Sequence, residues 1–379
     1  MKNTMNGILV QIAADHEAPG FYDAGLINRY REYLPITEKT PIISLSEGST
    51  PLIFSPKLSQ LTGGEVYLKF EGLNPTGSFK DRGMTVAISK AAERGATTVL
   101  CASTGNTSAS AAAYAARAGM KCVVILPAGR IATGKMVQAY MYGATVIAIE
   151  GNFDDALRIV HELEATGKFV VVNSTNPDRI EGQKTAAFEI IEELGKVPDL
   201  HILPVGNAGN ITAYWKGYRE FQQSGRTSRL PMMLGMQAAG AAPLFHGTPI
   251  DHPETIATAI RIGRPASWNG AQQAIKESYG AFDVVSDEEI LAAQQWLASN
   301  EGVFAEPASV TPVAGLLKYF QHHQPAPEAL REKLATRMVM VLTLTGNGLK
   351  DPDVARHSIT DPIVTKATVE AVLKSLMAF

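Results

Sequence analysis

A lysine near the start of a helix, with a loop of turn residues ahead of it, is the strongest chemical feature of the chain. Asn74-Pro75 and Thr76-Gly77 are turn dipeptides, Ser78 suits an N-cap, and Phe79, Met84, Val86, Ala87 and Ile88 give a helix something to bury. The helix N-terminus carries about half a positive charge, so an ammonium group at Lys80 is disfavoured and the free, nucleophilic amine is favoured. Taken alone, the same position also fits a solvated lysine balanced by Asp81.

Four loops that follow expected strands could serve such an amine. Ser103-Thr104-Gly105-Asn106-Thr107-Ser108 opens a helix and gathers hydroxyls, an amide and free backbone N–H groups, a setting for a carboxylate or simply an over-supplied cap. Gly206-Asn207-Ala208-Gly209-Asn210 has two glycines and a helix behind it, so its N–H groups can form a nest for a phosphate; a tight turn is the plain alternative. Its spacing is not GxGxxG, which argues against a dinucleotide. Asn173 to Arg179 is a polar loop with one guanidinium, suited to a phosphate or carboxylate but common on surfaces. Leu344-Thr345-Gly346-Asn347-Gly348 ends a buried strand on a hydroxyl that could bond a ring nitrogen, or is a turn. Gly129 to Lys135 has the glycine and lysine spacing of a P-loop, but Met136 stands where a magnesium-binding hydroxyl is needed, so nucleoside triphosphate binding is set aside.

These loops need strands and helices to place them. From Glu65 onward, short aliphatic runs alternate with helical patterns of ten to fifteen residues, the signature of βαβ units and parallel sheets. Strands are expected at Val66 to Phe70, Thr97 to Ala102, Lys121 to Leu126, Thr145 to Ile149, Phe169 to Val172, Leu200 to Val205, Pro231 to Gln237, Ala281 to Val285 and Arg337 to Thr345. Helices are expected between them, including Asn106 to Ala118, Ile180 to Leu194, Ile211 to Gln222 and Val310 to Tyr319. The first sixty residues, interrupted by Pro35, Pro41 and Pro51, read as an arm packed across a core formed later. Two successive α/β sheets follow, with ligands expected beyond the carboxyl ends of the strands.

With 379 residues, 45% of them apolar, and a net charge of −3, the chain can bury large cores but presents no field for nucleic acid or an anionic membrane. Cys101 and Cys122 are the only cysteines and fit neither a metal nor a CxxC pattern, so a reduced, cytoplasmic setting is expected. Met1 to Asp15 reads as no secretory leader, and no window reaches the length of a transmembrane helix.

A helix-start lysine, a phosphate nest, an anion loop and a late hydroxyl for a heterocycle are together the parts needed for pyridoxal 5'-phosphate. On Glu47-Gly48-Ser49-Thr50-Pro51-Leu52, Gly77-Ser78-Phe79-Lys80-Asp81-Arg82-Gly83 and Thr345-Gly346-Asn347-Gly348-Leu349-Lys350-Asp351, the chain resembles threonine synthase, of the fold-type II pyridoxal phosphate enzymes, over nearly its whole length. The resemblance implies an α/β, tryptophan synthase β-like fold of two open sheets with a cleft between them. Its parts would be an N-terminal arm and part of the large domain over 1–78, a small α/β domain over 79–173 and a large α/β domain over 174–379.

It also implies that Lys80 is the Schiff-base lysine, that Asn106 bonds the cofactor's phenolic oxygen, that Gly206, Asn207, Ala208, Gly209 and Asn210 bind its phosphate, and that Thr345 faces the pyridine nitrogen. The implied substrate is O-phosphohomoserine, with Ser103, Thr104 and Thr107 around its carboxylate or phosphate and Ser174, Arg179 and Asn207 completing the phosphate pocket. Lys80 would take the Cα proton and then move one from Cβ, phosphate would leave from Cγ, and water would add at Cβ to give threonine. A homodimer is implied as well. Asn347 departs from the family, where His is frequent. Threonine dehydratases and cysteine synthases share the lysine motif but differ in the glycine loop, and a non-catalytic pyridoxal phosphate-binding protein is the alternative of another class.

Overall fold

The computed structural model describes residues 25–128, 133–355 and 362–377. In chain order its strands are β1 Leu52–Phe54, β2 Glu65–Phe70, β3 Thr98–Cys101, β4 Lys121–Pro127, β5 Thr145–Ile149, β6 Val170–Val171, β7 Leu200–Pro204, β8 Met232–Ala238, β9 Ala281–Val285 and β10 Val339–Leu344. They form two sheets, one of six strands in the order β1-β2-β10-β7-β8-β9 and one of four in the order β5-β4-β3-β6. Every pairing is parallel except β1 on β2, where Leu52 faces Lys69 at the sheet edge.

The central strands of the large sheet are apolar on both faces, as parallel strands covered on both sides must be. Met340, Leu342, Leu200, Ile202 and Leu234 point into one core, shared with Val310, Val313 and Leu316. Val341, Leu203 and Met233, one residue out of step, point into another with Phe188, Tyr218 and Phe221. The small sheet divides in the same way: Val99 and Cys101 meet the alanine face of helix 106–117, and Leu100 and Ala102 meet Ala156 and Val160.

Four helices carry the site: α1 Lys80–Glu93, α2 Asn106–Arg117, α3 Pro177–Leu194 and α4 Gly209–Gln223. α1 and α3 cross at glycines. A Cβ on Gly182 would lie 1.9 Å from the Arg82 carbonyl oxygen, and one on Gly83 would lie 2.8 Å from that of Arg179. This close crossing sets Arg179 beside the turn that begins with Lys80. Beside it runs a wholly buried charge cluster, in which the Arg82 guanidinium bonds both oxygens of Glu71 and both of Glu189, while Lys69 pairs with Glu189 at 2.9 Å. Such a cluster is costly to desolvate but fixes one geometry for the elements it joins.

Some local expectations differ from the structure. The arm is less loose than its prolines suggest: Leu26, Ile27 and Tyr30 are buried against Phe188, Leu52–Phe54 forms an edge strand, and Pro56–Thr62 is a helix with proline at its first position. α3 starts at Pro177, ahead of the expected Ile180, because the Asn176 side chain accepts from the Asp178 N–H at 2.9 Å. The helix expected from Val310 to Tyr319 is α-helical only over Thr311–Leu316, with a 3₁₀ turn before it and a π turn after it. The Met1 to Asp15 segment and residues 129–132 of the P-loop-like pattern lie outside the described residues; Met136 is buried in the small-sheet core.

Candidate active site

The lysine loop reaches its place by pairing with the loop that follows β10. The Phe79 N–H donates to the Thr345 carbonyl at 2.9 Å, the Asn347 N–H to that of Gly77 at 2.9 Å, and Ser78 and Gly346 form an antiparallel bridge. On its other side the same strip pairs with residues 304–306, through Glu306 N–H to Gly346 O at 3.0 Å and Gly348 N–H to Phe304 O at 3.0 Å. Three segments remote in sequence therefore lie side by side. Lys350 extends the connection to the helix Thr133–Met141, donating to the Thr76 carbonyl at 3.0 Å and to Gln138 Oε1.

Lys80 is the first residue of α1 and is half-buried, with its Nζ 4.2 Å from the centre of the Phe79 ring. Its amine is pushed down to about 7, first by desolvation and then by the charge of Arg179, against the opposing pull of Glu306. The expectation that the lysine favours the free amine rested on the helix dipole; burial is the dominant cause found. Ser78 does not cap the helix: the cap position is Phe79, and the Ser78 hydroxyl lies 3.4 Å from the Lys80 N–H. The turn is held by Asp81, whose buried carboxylate accepts from Thr76 N at 2.7 Å, Thr76 Oγ1 at 2.6 Å and Ser110 Oγ at 2.6 Å. Burial raises that carboxyl to about 6.

The loops after β3 and β6 are tied together by Asn173, which accepts from Ala102 N and donates to Ala102 O, both at 2.9 Å. The loops after β6 and β7 are tied by Asn207, whose amide donates to Ser174 Oγ. Asn207 is fixed in turn by Ala266 N, which donates to its Oδ1 at 2.6 Å, and by Ser267 N, which donates to its backbone oxygen at 3.2 Å. Ala208 takes a left-handed φ of 64°, which turns the backbone of 206–210 into the start of α4. Ser103 is spent on its own loop, accepting from Gly105 N at 3.3 Å; Thr104 is half-buried and Thr107 buried at the start of α2.

Arg179 is fully buried, and of its guanidinium only Nη1 has a protein partner, the Val172 carbonyl at 3.2 Å. Its Nε and Nη2, together with Asn210 Nδ2, are buried side-chain donors without a hydrogen-bond partner among the described residues. Native structures leave few such groups, and here two of the residues expected to bind anions supply three unmatched donors. The cation is uncomfortable, its pKa lowered to about 10 mainly by desolvation. A phosphate fits this donor set.

Glu306 and Ser309 are the members of the site that sequence reasoning missed. The Asn106 amide donates to both carboxylate oxygens of Glu306, at 3.0 and 3.1 Å, and Ser309 Oγ lies 2.7 Å from Thr345 Oγ1. Burial raises the Glu306 carboxyl, with Asn106, Lys350 and Lys80 acting to lower it and Asp351 to raise it. An acidic residue inside the apolar run from Val303 to Val310, directly before Pro307, was the available signal.

Comparison with known proteins accords with this geometry. The pyridoxal-phosphate dependent enzyme family matches residues 43–343, and the chain belongs to that family. Among relatives, it is 56% identical to the threonine synthase of Mycobacterium leprae over 92% of this chain and 94% of the relative, and 54% identical to that of Synechocystis over 93% and 90%. It is 49% identical to the threonine synthase of Methanocaldococcus jannaschii over 92% and 86%. Within the pyridoxal phosphate enzymes, its place is therefore among the threonine synthases. In fold it is similar to maize serine racemase, with TM-score 0.71 at 19% identity over 88% of this chain and 97% of that one. The processed threonine deaminase isoform 2 of Solanum lycopersicum gives TM-score 0.70 at 21% identity over 88% and 89%.

Proposed function

We propose that the protein converts O-phospho-L-homoserine and water to L-threonine and phosphate, the last step of threonine biosynthesis. The observation that carries this reading is the set of unmatched donors on Arg179 and Asn210 in the first turns of α3 and α4, with the Arg179 charge acting on a lysine whose amine is pushed down to about 7. Bound pyridoxal phosphate supplies an electron sink for negative charge developing on the substrate carbons.

The chain's own residues then have separate duties. The Nζ of Lys80, half-neutral near pH 7, would hold the cofactor through its aldehyde carbon with loss of water, and as a free amine would take the proton from the substrate's Cα and move one from Cβ. Asn106 would donate to the cofactor's phenolic oxygen, the backbone of Gly206, Asn207, Ala208, Gly209 and Asn210 would hold its phosphate, and the Thr345 hydroxyl would meet its ring nitrogen. Because a hydroxyl is a weak acid, Thr345 would leave that nitrogen largely neutral, so Asn106 would carry more of the stabilisation of developing charge. Ser174, Arg179 and Asn207 hold the substrate's phosphate, with Ser103, Thr104 and Thr107 around its carboxylate or phosphate. Of these, Arg179 has the largest share, since its free Nε and Nη2 form the two-pronged edge that suits an oxyanion. A phosphate retained there after leaving Cγ would remain beside the carbon that water attacks.

The reading includes a small domain around the four-stranded sheet, a cytoplasmic setting supported by two free, buried cysteines, and the homodimer that the resemblance implies. Loading with pyridoxal phosphate tests it at the simplest level: a visible absorption band in the wild-type protein, absent from Lys80→Ala, is expected, and a band that survives the substitution would reject Lys80 as the anchor.

A further inference from the structure

Asn106 and Glu306 are separated by 200 positions, yet the amide nitrogen of one lies 3.0 and 3.1 Å from the two carboxylate oxygens of the other. Both are buried, Asn106 with 8% and Glu306 with 4% of its surface exposed. An ionised carboxylate can only accept, so the carboxamide must turn its nitrogen to Glu306 and its oxygen away. A primary amide nitrogen has two hydrogens. With one shared between the oxygens of Glu306, the other is left to donate.

We propose that Glu306 is a positioning residue for Asn106: its carboxylate fixes the amide flip so that an N–H, and not the amide oxygen, is presented to the phenolic oxygen of bound pyridoxal phosphate. This rests on the function proposed above and adds a residue to it. Without the carboxylate, the amide can rotate and offer its oxygen to an oxyanion, which repels it. The carboxylate's own position is built into the fold. Its backbone N–H donates to the Gly346 carbonyl at 3.0 Å, Ser309 Oγ lies 3.4 Å from its Oε1, and a Cβ on residue 346 would lie 2.5 Å from that same oxygen, so a side chain there would push the carboxylate out of this position. Burial raises this carboxyl; the Asn106 hydrogen bond and the facing cations Lys350 and Lys80 oppose that rise, and the facing anion Asp351 adds to it.

The test is titration of wild-type, Glu306→Gln, Asn106→Ala and double-variant proteins with pyridoxal phosphate, following the visible band. Each single variant is expected to bind about tenfold more weakly, as loss of one charge-assisted hydrogen bond implies, and the double variant no more weakly than the worse single one. The pH midpoint of the band is also expected to fall by about one unit in Glu306→Gln, because the charge that pulls the Lys80 nitrogen upward has been removed. Glu306→Asp keeps the charge but stops short of the amide, so the same loss of affinity is expected from it, and it serves if glutamine at 306 impairs folding. Affinity and midpoint unchanged in Glu306→Gln, or losses that multiply in the double variant, would overturn the inference while leaving the proposed function standing. A wild-type protein that forms no visible band at all would overturn both.

Discussion

The hydroxyls of Ser309 and Thr345 lie 2.7 Å apart, and Ser309 Oγ also accepts from the Gly346 N–H at 2.7 Å. With the single Ser309 proton given to Thr345 Oγ1 and not to Glu306 Oε1, which is 3.4 Å away, the Thr345 proton would be free for the ring nitrogen of the cofactor. Thr345→Val, which keeps the shape and removes the hydroxyl, is expected to retain the visible band and lower kcat/KM by about ten- to a hundredfold. Steady-state kinetics check it; an unaltered kcat/KM would remove Thr345 from the ring-nitrogen role.

Arg179 should show opposite effects on activity and stability. Arg179→Met removes the two-pronged donor for the substrate's phosphate and is expected to lower kcat/KM at least about a hundredfold. It also removes a buried cation with unmatched donors, so the unfolding free energy is expected to rise by about 1 kcal/mol or more. Urea denaturation beside the activity assay reads both.

Arg82 is a structural counterpart, two residues beyond the lysine and paired with two buried carboxylates. Arg82→Met leaves Glu71 and Glu189 facing each other without their shared cation, and a loss of about 3–5 kcal/mol is expected from denaturant unfolding. A loss below about 1 kcal/mol, the size of a surface pair, would contradict the burial of this cluster.

Two groups give pH dependences of defined sign. Lys80 in cofactor-free protein is expected to react with amine-modifying reagents with a midpoint near pH 7, well below the ordinary lysine range, because the reactive form is the neutral amine. Peptide mapping of Lys80 modification against pH measures it. His201 is buried between Thr343 Oγ1 at 2.8 Å and the Tyr218 hydroxyl at 2.9 Å, and burial pushes it down to about 3. Between pH 6.5 and 3 the unfolded chain binds a proton that the folded chain refuses. Stability therefore falls as pH falls through that window, and His201→Gln is expected to flatten this limb.

Lys80, the 206–210 loop and Thr345 were legible in the sequence because each carries its chemistry in consecutive residues at a strand-to-helix junction. The βαβ alternation gave both sheets for the same reason, since period and turn chemistry are local. Glu306 and Ser309 were not legible: they reach the site only because residues 304–306 pair with 346–348, a contact across about forty positions that no local pattern encodes. The bonds of Ala266 and Ser267 to Asn207 also depend on tertiary packing. The cause of the Lys80 shift was hidden likewise, because its desolvation and the nearness of Arg179 follow from the glycine crossing of α1 and α3.

Incubation of the pyridoxal phosphate-loaded protein with O-phospho-L-homoserine, with threonine, phosphate, ammonia and 2-oxobutyrate all quantified, tests the assignment most directly. Threonine and phosphate released in equal amounts are the expected result. Ammonia and 2-oxobutyrate as the dominant products would contradict it and make the protein a deaminating enzyme of the same fold.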